Sequence, residues 1–532
     1  MTSKIMLAKA NAISLMGLAG TVVEVESEIS SSLPGFVLVG LPDTSLSESK
    51  DRVRAAIQNS GLKMPNRRVT VNLSPASVRK TGSSYDLAIA VSVLAAAGTL
   101  QANSLSDWVH LGELGLDGSV RRVSGILPAL LVAKSAGISH AVVPAANAAE
   151  ASLVDGLKIV GVNHFKQVAL LHGAKIDIDF EVAEVPGLPE PAKANQLKDF
   201  STLDIADVLG QEDAIEALTV AAAGGHHLLM IGPPGAGKTM MAERLPTILP
   251  NLALEDALET TAVISISENR RVVADELLVR PPFESPHHTA SVSSLVGGGM
   301  GMPRPGLISL ANHGVLFLDE APEFQKSVLE SLRQPLESGE VVIHRSGGTA
   351  KFPAKFQLVL AANPCPCGNA FGAGRECRCT QQQRSGYLNK LSGPLLDRVD
   401  IRLSITPASP TKLAEARANQ KSQFTSLELR QRVEVARKVT ASRLSGTPWK
   451  TNSQVPGSYL RKHFPLPSIS TERLEKSLSR GQISMRGYDR CLRLAWTVAD
   501  LAGRPQPNQF DVAKALYLRG AESWEAGESQ NG

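Results

Sequence analysis

Apolar and polar residues alternate over Thr21–Glu26 (TVVEVE) and run together over Gly35–Leu41 (GFVLVGL), which predicts two strands. Ser45–Ser60 carries apolar residues at helical spacing, RRVTVNLSP (67–75) predicts a further strand, and SYDLAIAVSVLAAAGTL (84–100) is apolar on every side, as in a buried helix. GELGLDGSVRRV (112–123) contains a hairpin turn at Asp117–Gly118. A helix over LPALLVAKSAGI (127–138) and the strand HAVVP (140–144) follow. The fold class expected is a multidomain α/β chain whose first domain, 1–175, is α+β. From Val182 to Asp207 the sequence turns Pro-rich and polar, so 176–207 is expected to be a linker.

Residues 208–405 form a second α/β block of short apolar strands. Residues 406–525 are mainly helical, with a Pro-rich interruption at Val455–Pro467 and strong periodicity over Ser484–Ala502 and Gln509–Arg519. The tail 526–532 is expected to fray.

Composition narrows the picture further. The chain has 532 residues, 43% hydrophobic and 20% charged, enough for three or four independent cores and unlike a disordered or collagenous chain. A net charge of +4 argues against a protein that coats nucleic acid over its whole surface, but leaves room for a local basic loop. With Phe, Trp and Tyr at 4%, an extended aromatic stacking platform is not expected. Leu87–Leu100, the longest nearly uncharged run, is shorter than the ~20 residues that span a bilayer. Lys4 and Lys9 precede an apolar stretch like that of a signal peptide, but its continuation into Val-Glu-Val-Glu reads as a strand. Five cysteines, four of them clustered, suit a reducing compartment, and the expected location is the cytoplasm.

The chemistry is concentrated in the second block. HLLMIGPPGAGKTMMAERL places Gly232, Pro233, Pro234, Gly235, Ala236, Gly237, Lys238, Thr239 and Met240 between an apolar strand and a helix. In that context the glycines let backbone N–H groups approach phosphate oxygens, Lys238 reaches the β/γ phosphates and Thr239 ligates Mg²⁺. GVLFLDE ends a buried strand in Asp319, expected to hold Mg²⁺ through water, and Glu320, expected to polarise the attacking water. KFQLVLAANP ends another in Asn363, either an amide that aligns the lytic water or a loop cap. ATP and Mg²⁺ are therefore the expected substrate and cofactor.

Cys365, Cys367, Cys377 and Cys379 form C-x-C-x9-C-x-C, which either binds a structural Zn²⁺ or is a set of reduced loop cysteines. Cys491 lies on an apolar helix face and reads as core. Glu337–Leu358 (ESGEVVIHRSGGTAKFPAKFQL) reads as a hairpin with Arg345, Lys351 and Lys355; these either track DNA phosphates or are ordinary solvated charges. His344 adds to its basic character, the Gly-rich Ser291–Gly306 could form a second channel loop, and His287–His288 are as much structural as functional candidates.

These segments resemble the AAA+ ATPases. FESPHHTASVSSLVGGGMGMPRPGLISLANHGVLFLDEAPEF, ANPCPCG and KLSGPLLDRVDI are similar to the Mg-chelatase-like AAA+ family, and most of all to its ComM (YifB) subfamily, over nearly the whole chain. The resemblance implies that Arg398 is an arginine finger entering a neighbour's site, hence a homo-oligomeric ring, expected to be a hexamer. It implies that Arg486 is a second sensor on a helical C-terminal lid, with Arg490 and Arg493 as alternatives. It also implies helicase or branch-migration activity on DNA during natural transformation, alongside recombination proteins. A chelatase-type or protein-remodelling ATPase is the other reading. RKTGSSYDLAIAVSVL with residues 111–147 resembles the Lon protease domain (a ribosomal S5 domain 2-like fold). Ser84 falls on the nucleophile position, but Leu127 stands where the activating lysine belongs and Lys134 lies about two helical turns on, implying a fold without peptidase activity.

Overall fold

The computed structural model describes residues 6–176, 200–267, 276–299, 303–345, 348–370, 377–409, 411, 414 and 424–520, apart from positions 42, 79, 81 and 201. The expected tail 526–532 and linker residues 177–199 lie outside the described residues.

In the first domain, β1 (Met6–Met16), β2 (Ala19–Ser30), β3 (Gly35–Val39), β4 (Arg68–Ser74), β5 (Trp108–His110), β8 (His140–Pro144) and β9 (Lys158–Val162) make one sheet in the order β3-β4-β2-β1-β5-β8-β9. The short pair β6 (Glu113–Leu114) and β7 (Val120–Arg121) closes the expected Asp117–Gly118 hairpin. The stretch that looked like a leader is β1, paired with β2 from Met6↔Ile29 to Met16↔Ala19. Along β2 the alternation works as expected: Val23, Val25 and Ile29 are buried, with polar neighbours between them. The helix Asp86–Ala96 packs on β1 and β2 on one side and on the helix Ser49–Asn59 on the other, so every residue in it is buried. Its Ser92 hydroxyl meets Ser27 Oγ at 2.7 Å, satisfying two buried hydroxyls together.

The second domain is built on β10 (Leu228–Ile231), β11 (Phe283–Glu284), β14 (Val315–Leu318), β17 (Gln357–Ala362) and β18 (Ile401–Ser404). They form an all-parallel sheet, β11-β14-β17-β10-β18. Strands covered on both faces must be apolar throughout, and β14 and β17 are buried at every position. Two smaller pairs leave this sheet: β12 (Gly297–Gly298) with β13 (Arg304–Pro305), and the expected basic hairpin, β15 (Glu340–Arg345) with β16 (Gly348–Pro353). The end of the stretch expected to be a linker packs on the second domain. Phe200 meets Phe283 edge-on at 5.2 Å, Ile205 is fully buried, and Asp204 accepts the Ser426 N–H at 2.9 Å, so Phe200, Asp204 and Ile205 belong to the core.

The helices Ser426–Arg443, Gly457–His463, Ser468–Ser479, Met485–Leu501 and Gln509–Arg519 form the C-terminal bundle. They share one apolar cluster with the β10 side of the sheet, through Leu429, Val433, Cys491 and Leu494. A buried polar knot reinforces this join. Asp400, just before β18, accepts from His226 Nδ1 at 2.9 Å and pairs with Arg490, while His226 Nε2 meets Thr497 Oγ1 at 2.8 Å. Burial alone would raise the Asp400 pKa; the His226 hydrogen bond and the Arg490 charge outweigh it and hold the carboxyl well below the usual range.

The first two domains also touch. Gly17, in the β1–β2 turn, forms a backbone bridge to Lys351 of β16, and Ala262 joins the cluster around Leu127 and Leu130. No helix among the described residues is long and apolar enough to cross a membrane.

Candidate active site

Three parallel strands end side by side and deliver the residues that the sequence singled out. β10 runs into the loop Gly232–Gly237, which opens the helix Lys238–Ile248. Gly235 and Gly237 adopt φ of 76° and 88°, the left-handed region that favours glycine. At Gly232 a Cβ would sit 2.4 Å from the Ile405 carbonyl, so this position has room only for glycine. Gln211 Nε2 donates to the Ala236 carbonyl at 3.0 Å and braces the loop from outside, a contact for which the sequence carried no signal.

Lys238 is largely buried. Its ammonium donates to the Gly232 and Pro233 carbonyls at 2.6 and 2.9 Å and to Asn363 Oδ1, beyond β17, at 3.1 Å. Burial pushes its pKa down, opposed by the charges of Asp319 and Glu320. The Thr239 hydroxyl donates to Asp319 Oδ2 at 2.6 Å. Glu320 stands at φ 51°, in the left-handed region, with its N–H donating to Asp319 Oδ1 at 2.9 Å. His288 Nδ1 lies 3.5 Å from Glu320 Oε2, so of the two candidate histidines this one reaches the site. Tyr387 is a further residue that the sequence did not point to. Its ring is buried, and burial followed by the Glu323 and Glu320 charges pushes its phenol pKa up.

Arginines gather at the join of core and bundle. Arg398 pairs with Glu337 and donates from Nη1 to the Pro394 carbonyl at 2.5 Å. Burial, and after it the neighbouring charges of Arg333, Arg490 and Arg486, lower its pKa. Arg490 is committed to Asp400, and burial lowers the pKa of Arg493. Arg486 is 82% exposed and touches Asp397 at 3.4 Å. The hairpin residues differ among themselves: Lys351 pairs with Glu340 at 3.4 Å and Lys355 with Glu259 at 3.3 Å, while Arg345 has no acidic partner among the described residues.

Comparison with known proteins places this geometry. "Magnesium chelatase, subunit ChlI" matches residues 204–413, "Subunit ChlI of Mg-chelatase" residues 25–147, and "Magnesium chelatase, subunit ChlI C-terminal" residues 423–519. The chain is 46% identical over 514 residues to an uncharacterized protein of Mycobacterium tuberculosis, covering 96% of this chain and 98% of that one. It is 40% identical over 510 residues to the competence protein ComM of Haemophilus influenzae (95% and 96% covered), and 39% identical over 512 to YifB of Escherichia coli (96% and 95%). The chain belongs to the Mg-chelatase-like AAA+ family, in its ComM (YifB) subfamily. Membership of this ComM subfamily implies an ATPase that uses ATP and Mg²⁺.

The residues present fit both. A glycine loop at a helix N-terminus followed by a lysine suits a triphosphate, and the adjacent Thr239 hydroxyl and Asp319 carboxylate are the hard oxygen donors that Mg²⁺ takes. Bound there, Mg²⁺ would neutralise charge on the phosphate oxygens.

Proposed function

We propose that the chain is a ring-forming AAA+ motor that hydrolyses ATP to move on DNA, with branch migration during integration of incoming DNA as its task. In this reading Lys238 and the loop N–H groups hold the phosphates, Thr239 and Asp319 hold Mg²⁺, and Glu320 takes a proton from the attacking water, which Asn363 orients. Arg398 completes the site of a neighbouring subunit, most simply in a hexamer, and Arg486 senses nucleotide from the bundle, which acts as a lid. Arg490 and Arg493, both half-buried and the first paired with Asp400, are poorly placed to move on binding.

The observation that carries the DNA reading is the β15–β16 hairpin. It leaves the core between the strand bearing Asp319 and Glu320 and the strand bearing Asn363, with Arg345 exposed near its tip. Repeated around a ring, a few such cations would follow phosphates without raising net charge much. Strong DNA stimulation of ATP hydrolysis, lost in Arg345→Ala, is the expected result; no stimulation by forked or branched DNA would refute it.

One observation favours the protein-remodelling alternative. Lys351 and Lys355 are neutralised by Glu340 and Glu259, and the hairpin leans on the first domain at Gly17. Stimulation by a protein alone would select that reading.

We read the first domain as Lon-like without peptidase activity. Ser84 lines a small cavity with Leu15, Leu111, Ile126 and Arg304, and no lysine or histidine is among its lining residues. Leu127 stands at the position of the activating lysine, with its N–H bound to Glu150 Oε1 at 2.9 Å, and an aliphatic side chain cannot activate the serine.

A further inference from the structure

The cysteine loop lies against the nucleotide loop. It begins at Asn363, the residue bonded to Lys238, and returns past Gly368, whose backbone approaches so closely that a Cβ there would meet Pro234 Cδ at 2.6 Å. Of residues 363–370 only Cys365 and Gly368 are buried, so the segment has almost no apolar core to hold its shape.

Its four thiols nevertheless converge. Cys365 Sγ lies 3.3 Å from Cys367 Sγ and 3.7 Å from Cys377 Sγ, Cys367 and Cys377 are 3.7 Å apart, and all four sulfurs fall within 4.8 Å of one another. A tetrahedral ion with Zn–S lengths of ~2.3 Å requires S···S edges of about 3.8 Å. The separations fit one ion, whereas an iron–sulfur cluster would spread the thiolates further apart. They are too long for disulfides, whose sulfurs bond at about 2.05 Å, and all four cysteines are free. Two outer contacts orient the ligands: the Ala370 N–H donates to Cys365 Sγ at 3.3 Å, and Arg384 Nε donates to the Cys379 carbonyl at 3.2 Å.

We propose that Cys365, Cys367, Cys377 and Cys379 bind one Zn²⁺, and that the knuckle it closes is the wall on which Pro234 and the phosphate loop rest, so that zinc occupancy sets nucleotide affinity. The second half of this rests on the nucleotide reading of Gly232–Thr239; the first half does not.

The test is zinc analysis of the full chain purified without chelator, together with titration of a fluorescent ATP analogue. One zinc per chain is expected, and Cys367→Ser with Cys379→Ser should lose it and weaken nucleotide binding by about tenfold. Gly368→Ala should keep the zinc but weaken nucleotide binding, because its Cβ drives into Pro234. Lys238→Ala should keep the zinc while losing the nucleotide, which separates the metal site from the nucleotide reading. Less than about 0.2 zinc per chain, or iron in its place, overturns the zinc site. If the double variant does not fold, zinc is stripped from the wild-type chain and then restored. Nucleotide affinity unchanged by stripping overturns the wall.

Discussion

Lys238 Nζ and Asn363 Oδ1 are 3.1 Å apart, joining the loop after β10 to the end of β17, 125 positions later. The same ammonium is held by the Gly232 and Pro233 carbonyls, so a γ-phosphate must replace these partners to be gripped. If Asn363 orients the lytic water, as proposed, Asn363→Ala is expected to keep nucleotide binding while lowering kcat by about 100-fold. Lys238→Ala should abolish binding itself. Equilibrium binding beside single-turnover hydrolysis separates the two; equal loss of binding in both variants would contradict the assignment.

Glu320 is held by His288 at 3.5 Å. Glu320→Gln should bind ATP and Mg²⁺ normally but hydrolyse at least about 100-fold more slowly. His288→Ala releases the carboxylate and should raise basal hydrolysis while weakening any response to DNA. A basal rate that falls with His288→Ala would assign the histidine to positioning instead.

Arg398 meets Glu337 within its own chain. If Arg398 serves a neighbour, Arg398→Ala should leave nucleotide affinity and ring assembly intact but reduce hydrolysis. Mixing it with Glu320→Gln subunits should restore activity, because some interfaces then hold both an intact Glu320 and an intact Arg398. No recovery on mixing argues against a shared site.

Glu259 contributes to stability in a pH-dependent way. The His313 hydrogen bond, with Asn312 and Lys355 beside it, lowers its pKa from 4.5 to about 2. A carboxyl whose pKa is depressed on folding stabilises the fold above its unfolded value and loses that contribution as pH falls from 4.5 to about 2. His313→Asn tolerates the left-handed backbone (φ 55°) yet replaces the imidazole that meets Glu259 by a shorter side chain. In denaturant unfolding the variant should be less stable than wild type at pH 8, by a margin that shrinks as pH falls from 4.5 toward about 2.

Asp400 is the anionic centre of the knot between core and bundle. Asp400→Ala leaves the half-buried Arg490 and the buried His226 without their shared partner and should cost about 3 kcal/mol in denaturant unfolding. Replacing the exposed Arg486 by Ala should leave stability unchanged.

The sequence by itself determined the longer strands with a clear apolar pattern and the residue types at the ends of β10, β14 and β17, but not short strands such as β5, β9 and β11. Val23 and Val25 alternate because one face of β2 is buried, and the uninterrupted apolar runs of β14 and β17 mark strands covered on both faces. The glycine loop was legible for the same local reason, since backbone approach to phosphate requires those glycines at that spacing. The packing of distant segments decided the rest. Hydrophobic period says nothing about which of Arg486, Arg490 and Arg493 meets Asp400, that Glu259 reaches Lys355, that His288 reaches Glu320, or that Phe200, Asp204 and Ile205 close onto the core instead of serving as linker. It also could not place Gly368 against Pro234, the contact that brings the cysteine loop to the nucleotide site. Such contacts are set by where strands lie in a sheet whose order differs from that of the chain, so their partners are remote in sequence and adjacent only in space.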